Sequence, residues 1–187
     1  MLGEILMGII EKYVKECRKP TGGLGKIVGR SMNYGHSEVQ KWGLSHISTS
    51  QQAQILDIGC GGGKAIQKLS TLAPNGKIFG IDYSEDMVNL STKVNRKLIQ
   101  KGVVEIQNGN VSALPFENNV FDLVTAFETY YFWPNLINNL KEIKRVLKPA
   151  GFLLLVNEVY KHEKFEKRNS NWVQLLDMSI HTPEQYR

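Results

Sequence analysis

The chain has 187 residues, 42% of them hydrophobic and 22% charged, so one domain can bury a core without disulfides or a structural metal. No apolar run approaches the roughly 20 residues of a membrane-spanning helix, and the start of the chain lacks the positive charge of a secretory signal, so we expect a cytoplasmic protein with no membrane partner. The net charge of +5 comes from Lys and Arg scattered among acidic residues, which leaves nucleic acid as a less favoured partner.

The first 50 residues predict a helical cap that precedes the main fold. Residues 2–19 space their apolar side chains three and four apart, which is typical of a helix, and Pro20 with the following glycines ends it. After the glycine-rich stretch TGGLGKIVG, a second helix is expected to begin near Ser37, whose short side chain suits an N-cap. We therefore expect an N-terminal cap over 1–50 and a core domain over 51–187.

From Ala53 onward, short apolar runs alternate with helical stretches. The runs QILDIG, KIFGID, VVEIQN, FDLVTA and FLLLVNEV predict strands, and KAIQKLSTL, DMVNLSTKVNRKLIQ and NLINNLKEIKRVLK predict the helices between them. Near-continuous apolar strands separated by helices are typical of parallel sheets covered on both faces. We expect an α/β fold with a doubly wound, mostly parallel sheet, in which Gly102 closes the long helix and Pro149-Ala150-Gly151 turns the chain into the fifth strand.

The end of the sequence predicts the start of a further helix. Thr182 is placed as an N-cap, Pro183 as the first helical residue and Gln185 as the capping-box partner, yet only two residues follow Gln185. We expect from this that the domain is truncated at its C-terminus and that C-terminal edge strands are missing.

The strongest chemical signal is ILDIGCGGG, residues 55–63, which runs from a buried strand directly into a helix. Gly59, Gly61 and Gly63 allow a tight bend and a close approach of backbone to a ligand. Asp57 lies at the carboxyl end of the strand, where it can accept hydrogen bonds from loop amides or bind a cationic group. Only one other cysteine accompanies the Cys60 of this loop, so we expect no disulfide framework and no metal site.

Polar residues also follow the second and third strands. Asp82 ends KIFGID, and an acid in that position of an open α/β sheet can accept both hydroxyls of a ribose. Tyr83 and Ser84 can flank an adenine ring, although for Ser84 we favour the role of helix N-cap. Asn110 can contact a base edge or simply favour a turn.

The succession ILDIGCGGG, GIDYSEDM, GNVSALPF, FDLVTA and LKPAG resembles class I S-adenosylmethionine (SAM)-dependent methyltransferases of Rossmann-like fold over 54–158. The resemblance implies SAM as cofactor, S-adenosylhomocysteine as product and methyl transfer as the activity. A dinucleotide site, by contrast, would need glycine or alanine where this chain has Lys64. The residues implied to bind the cofactor are Asp57, Gly59, Cys60, Gly61, Asp82, Tyr83, Met87, Asn110, Val111, Ala126 and Phe127, with Tyr34 covering it from the cap.

The sequence indicates the acceptor-binding residues less clearly than the cofactor-binding ones. The segment FETYYFWPN follows the fourth strand and lacks the motifs of base methyltransferases, and its aromatic residues suit a pocket or a core equally. Candidates for a catalytic base are Glu128, Glu158 and His36, each of which also has an ordinary structural explanation. We expect a small-molecule acceptor, with an RNA methyltransferase or a non-catalytic SAM-binding protein as alternatives.

Overall fold

The computed structural model describes residues 13–14 and 16–186. Most of the helix predicted over 2–19 therefore lies outside the described residues, whereas Tyr13 and Val14 are helical. None of the helices among the described residues combines the length and the hydrophobicity that a membrane-spanning helix needs.

Five strands form one sheet in the order β3-β2-β1-β4-β5, and every neighbouring pair is parallel. The strands are β1 (Gln54–Ile58), β2 (Lys77–Asp82), β3 (Val104–Asn108), β4 (Phe121–Phe127) and β5 (Leu147–Val156). The predicted doubly wound α/β sheet is confirmed. The chain passes from β1 outward to β3 and then returns to β4 beside β1, so the order of the strands reverses at β1, where such sheets bind ligands.

The helices are α1 (Gly22–Gly35), α2 (Ser37–Leu44), α3 (Lys64–Leu72), α4 (Glu85–Val94), α5 (Arg96–Gln100), α6 (Leu136–Val146) and α7 (Glu166–Leu176), with short 3₁₀ turns at Tyr130–Phe132, Glu163–Phe165 and Pro183–Tyr186. Both faces of the sheet are covered. Ile55 packs in a cluster with residues of α3, whereas the next residue, Leu56, packs in a second cluster with residues of α6. Because successive strand residues point to opposite faces, β1 needs apolar side chains on both faces, and Ile55, Leu56 and Ile58 supply them before and after the buried Asp57.

The long helix predicted between β2 and β3 is divided in two at Asn95. Its buried carboxamide nitrogen donates to the carbonyls of Ser91 and Gly63, both at 2.9 Å. The break therefore ties the α4–α5 junction to the loop after β1. Gly102 adopts a φ of 74° after α5, which confirms its predicted role as the closing residue.

The glycine-rich stretch before Ser37 is a helix rather than a connecting loop. A Cβ on Gly29 would lie 2.7 Å from the Met87 sulfur, and one on Gly25 would lie 2.5 Å from the backbone of Pro20. The glycines of α1 thus allow a close approach that outweighs their low helix propensity. The predicted capping role of Ser37 is also wrong: Ser37 is the first residue of α2, and its hydroxyl accepts a hydrogen bond from Lys68 Nζ.

The segment Pro149-Ala150-Gly151 bends the chain inside β5 rather than before it, and the register with β4 shifts between Phe121 and Leu123. Ala150 adopts a φ of 65°, in the left-handed region that glycine tolerates best. At the end of the chain, the Thr182 amide donates to Gln185 Oε1 at 2.9 Å, so the predicted capping pair forms at the start of the last 3₁₀ turn.

We expect Ala150→Gly to stabilise the fold by about 0.5–1 kcal/mol, because it removes the steric cost of a left-handed alanine and this exceeds the entropy that glycine adds to the unfolded chain. Thermal unfolding should show a rise in Tm of about 1–4 °C. The matched control is Ala113→Gly, at an exposed alanine whose φ is not positive, and it should lower the Tm. Equal losses in both variants would contradict the explanation.

Candidate functional site

A cavity of about 260 Å³ opens at the carboxyl ends of β1, β2 and β4. Most of the predicted site residues line this cavity. The predicted residues in its lining are Asp57, Gly59, Cys60, Gly61, Asp82, Tyr83, Met87, Asn110, Val111, Phe127, Glu128 and His36. The three that do not line it are Tyr34, Ala126 and Glu158. The cavity lies where the strand order reverses, so the fold and the sequence motifs point to the same place.

The loop after β1 bends sharply into this cavity. Gly59, Gly61 and Gly63 have φ values of 72°, 50° and 80°, as predicted from their residue type. The amides of Gly59 and Cys60 both donate to the Ile81 carbonyl at 2.9 Å, which fastens the loop to the end of β2. A Cβ on Gly61 would meet nothing within 4 Å, so the surface of the loop is open to a ligand at that residue.

Asp82 organises the turn between β2 and α4. Its Oδ2 accepts the Gly61 amide and its Oδ1 accepts the Ser84 amide, both at 2.9 Å. Asp82 is only 6% exposed. Burial raises the pKa of its carboxyl, although these two hydrogen bonds lower it. Each carboxylate oxygen keeps a further lone pair, so Asp82 can hold the loop and also accept hydrogen bonds from a ligand.

Asp57 is the more deeply buried acid, with 1% of its surface exposed. Its Oδ1 accepts a hydrogen bond from the Thr125 hydroxyl at 2.7 Å. Among the described residues no loop amide donates to Asp57, so of the two expected roles only the binding of a cationic group is left. Burial raises the pKa of Asp57 to about 7; the Thr125 hydrogen bond opposes this rise and the Asp82 charge adds to it.

Acidic groups dominate the charge of the cavity. Asp57, Asp82 and Glu128 all line it, whereas the permanently charged base among its described lining residues, Arg18, already pairs with Asp177 at 2.7 Å. His36 also lines the cavity, and burial lowers its pKa, which favours its neutral form. The site therefore favours a ligand that carries positive charge or hydrogen-bond donors, and opposes an anionic one.

The segment before α1 and part of α1 cover the cavity. Ser84 Oγ donates to the Pro20 carbonyl at 2.6 Å, and Tyr83 donates its hydroxyl to the Arg18 carbonyl. Asn33 Nδ2 donates to the Gly62 carbonyl at 3.0 Å. The capping role that we favoured for Ser84 is therefore wrong for its side chain, which makes no cap hydrogen bond and instead fastens the cover.

Tyr34 does not contribute to this cover. It is 81% exposed and lies outside the cavity lining, whereas the adjacent Asn33 and Met32 line it. Sequence analysis missed Asn33 because the second helix was expected to begin near Ser37, so no helical phase was assigned to the residues before it. The spacing of Gly25 and Gly29, one helical turn apart, is the signal that could have placed it.

The last two residues of β4 lie in different surroundings. Phe127 lines the cavity, but the neighbouring Ala126 is fully buried in the core and does not. The aromatic segment behaves in the same way: Tyr130 and Tyr131 belong to the core cluster, whereas Phe132 and Trp133 also reach the cavity. The sequence left open whether the aromatic residues of this segment line a pocket or belong to the core, and the structure shows both.

Two further predicted residues keep structural roles. Asn110 lines the cavity, but its Oδ1 accepts a hydrogen bond from the Ser112 amide at 2.9 Å, so the turn-forming interpretation is confirmed. The side-chain amide nitrogen makes no hydrogen bond among the described residues and is free to contact a ligand. Glu158 is exposed, and its backbone amide, not its carboxylate, reaches the site by donating to Glu128 Oε1.

Comparison with known proteins agrees with this geometry. Residues 56–155 match the family described as methyltransferase domain. A demethylmenaquinone methyltransferase of Lactococcus lactis is 41% identical over 103 residues, which cover 54% of this chain and 40% of that protein. The chain spans about half the length of the curated relatives it matches.

Solved structures share the fold. A methyltransferase of Haloferax volcanii in complex with the Trm112 methyltransferase activator superimposes with a TM-score of 0.71 at 24% identity, over 85% of this chain and 68% of that chain. A SAM-dependent methyltransferase from Aquifex aeolicus gives a TM-score of 0.65 at 22% identity, over 79% of this chain and 87% of that one.

We expect Asp57→Asn to stabilise the fold at neutral and higher pH. Because burial raises the folded-state pKa from 3.8 to about 7, the ionised wild-type carboxyl destabilises the fold increasingly as pH rises between these values. The gain in free energy of unfolding should be absent near pH 4 and reach on the order of 2–4 kcal/mol above pH 7, as measured by urea unfolding.

Asp122→Asn is the matched control with the opposite sign. Partial burial raises the pKa of Asp122, but hydrogen bonds from Lys148 and the Gln54 amide more than offset this, and the pKa lies below its usual value. Asp122→Asn should therefore destabilise the fold above that pKa. A stability difference for Asp57→Asn that does not change with pH would contradict the assignment.

Proposed function

Because the chain belongs to the methyltransferase domain family, we propose that it binds SAM in this cavity and transfers the methyl group to a small-molecule acceptor. The observation that carries the proposal is the pair of buried carboxyls, Asp57 and Asp82, at the ends of neighbouring strands with the open surface of Gly61 beside them. Two buried acids and a bare loop suit an adenosyl ligand that carries an ammonium, a sulfonium and two ribose hydroxyls.

The charge of the cavity supports a cationic adenosyl ligand over a dinucleotide. A pyrophosphate would be brought toward Asp57, Asp82 and Glu128, which all line the cavity and would repel it. A cation would instead favour the ionised form of Asp57, whose pKa burial raises to about 7. The energy lost by burying these acids is thus recovered when the ligand binds.

We assign the residues as follows. Asp82 accepts the ribose hydroxyls with the lone pairs that Gly61 and Ser84 leave free. Asp57 faces the methionine part and its ammonium group. Tyr83, Met87 and Val111 flank the adenine, which the free amide nitrogen of Asn110 can contact at its edge; Gly59, Cys60 and Phe127 complete the lining.

Bound SAM supplies an electrophilic methyl group on a sulfonium. The chain contributes position and the exclusion of water: the Asn33 and Ser84 hydrogen bonds hold the cover over the glycine loop, and Phe132 and Trp133 present apolar walls next to it. Alignment of the acceptor with the methyl group accounts for most of the catalysis in such a site.

We further propose a flat, ring-containing acceptor. The aromatic side chains of Phe132 and Trp133 supply surfaces on which a ring can stack, and relatives of this chain are named demethylmenaquinone methyltransferases. We also place the protein in the cytoplasm, in keeping with two cysteines, Cys17 and Cys60, that are both free thiols.

We expect Asp82→Asn to weaken binding of S-adenosylhomocysteine by about 1.5–3 kcal/mol, or roughly 10- to 150-fold, because a charge-assisted hydrogen bond to the ribose is lost. Isothermal titration calorimetry measures this difference without knowledge of the acceptor. Asp122→Asn, at the opposite end of the sheet, should bind like the wild type. Indistinguishable affinities for Asp82→Asn and wild type would remove Asp82 from the site.

We expect Asn33→Ala to weaken binding of S-adenosylhomocysteine by about 0.5–1.5 kcal/mol, since the cover loses its hydrogen bond to the Gly62 carbonyl. Tyr34→Ala is the matched neighbour and should leave the affinity unchanged, because Tyr34 is exposed. The same titration compares the two variants. A larger loss for Tyr34→Ala than for Asn33→Ala would overturn the placement of α1.

A further inference from the structure

Glu128 is a buried carboxyl in the wall of the cavity, directly after β4. Only 8% of the residue is exposed, and it lines the cavity together with Thr129, Phe132 and Trp133. None of the cofactor roles assigned above uses it. Its position after the fourth strand places it next to the aromatic walls, on the side where the acceptor is proposed to lie.

Two hydrogen bonds fix the orientation of this carboxyl. The Tyr131 hydroxyl donates to Oε2 at 2.7 Å, and the Glu158 amide donates to Oε1 at 2.5 Å. Each oxygen of a carboxylate can accept two hydrogen bonds, so each keeps one unused position. The carboxyl is thus held rigidly and can still accept a proton from a neighbouring group.

The backbone of Glu128 is strained. Its φ of 58° lies in the left-handed region, which costs a non-glycine residue roughly 1–2 kcal/mol. Glycine would avoid this cost, yet the chain has a long acidic side chain at this position. Strained residues of this kind cluster at functional sites, where the surrounding contacts hold them in place.

The groups around Glu128 leave it free to exchange a proton near neutral pH. Tyr131 in the 3₁₀ turn and Glu158 in the segment after β5 both act on Glu128 without lining the cavity. His36, at the α1–α2 junction, lines the same cavity as Glu128. Burial raises the pKa of Glu128 to about 7; the Tyr131 and Glu158-amide hydrogen bonds lower it, and the Glu158 charge raises it. His36, whose pKa burial lowers, does not supply a compensating positive charge.

We propose that Glu128 is the catalytic base of the acceptor site, and that it takes the proton from a phenol-like hydroxyl of a flat acceptor that packs against Phe132 and Trp133. This inference rests on the proposed methyl transfer. Tyr131 is a positioning residue, because it acts by orienting the Glu128 carboxyl rather than by touching the acceptor.

The proposed reaction needs only SAM, the acceptor and the Glu128 carboxylate. A bond forms between the acceptor oxygen, or the ring carbon that the oxygen activates, and the methyl carbon. The bond from methyl carbon to sulfur breaks, and its electron pair remains on the sulfur as a thioether. The proton that the acceptor loses passes to the Glu128 carboxylate, which releases it to solvent after the product leaves.

Binding of a model phenol tests this role without turnover. The protein is first saturated with S-adenosylhomocysteine, and its affinity for 1-naphthol is then measured by calorimetry. Because a phenol hydroxyl donates to the ionised carboxyl, affinity should rise roughly tenfold between about pH 6 and pH 8 and level off above the pKa. 1-Methoxynaphthalene, which lacks the hydroxyl, should show no such rise.

Three variants separate a base from a structural residue. Glu128→Gln should retain S-adenosylhomocysteine binding and lose the rise with pH, whereas Glu163→Gln, at an exposed glutamate, should behave like the wild type. Tyr131→Phe removes a hydrogen bond that lowers the Glu128 pKa, so it should move the rise to higher pH.

The outcomes are distinguishable. If the wild type fails to bind S-adenosylhomocysteine, the proposed function itself fails. If it binds that ligand but not 1-naphthol, or if the same rise with pH occurs in Glu128→Gln or with 1-methoxynaphthalene, the role of Glu128 is overturned and the proposed function stands.

Discussion

The site depends on one carboxylate, that of Asp82, which holds together the loop after β1 and the turn after β2. Its two oxygens accept the amides of Gly61 and Ser84, so the bend of the glycine loop and the start of α4 are fixed by the same side chain. The Ser84 hydroxyl then reaches the Pro20 carbonyl and fastens the cover. Loop, strand ends and cover are therefore coupled through one buried acid.

This arrangement stores free energy in the absence of a ligand. Asp57 and Asp82 are buried near each other, and burial raises the pKa of both. A parallel sheet with apolar clusters on both faces supplies the stability that tolerates such groups. The two acids accept hydrogen bonds within the protein, and the proposed adenosyl ligand would add the positive charge that offsets the cost of burying them.

The sequence predicted the sheet well because its signals are local. Buried parallel strands read as apolar runs, and the positive φ values of Gly59, Gly61 and Gly63 follow from residue type. Tertiary contacts explain what was missed. The glycine-rich stretch is helical because Gly29 packs against the Met87 sulfur, a contact 58 positions away in the chain (87 minus 29) that no local pattern reveals. Once α1 has this phase, Asn33 rather than Tyr34 faces the cavity.

The most direct test is a crystal structure of the protein with S-adenosylhomocysteine. The account predicts that the ribose hydroxyls lie within hydrogen-bonding distance of the Asp82 carboxylate, with the ligand passing over the open surface of Gly61. Electron density for the ligand elsewhere on the molecule, or none between these two strand ends at saturating ligand, would contradict it.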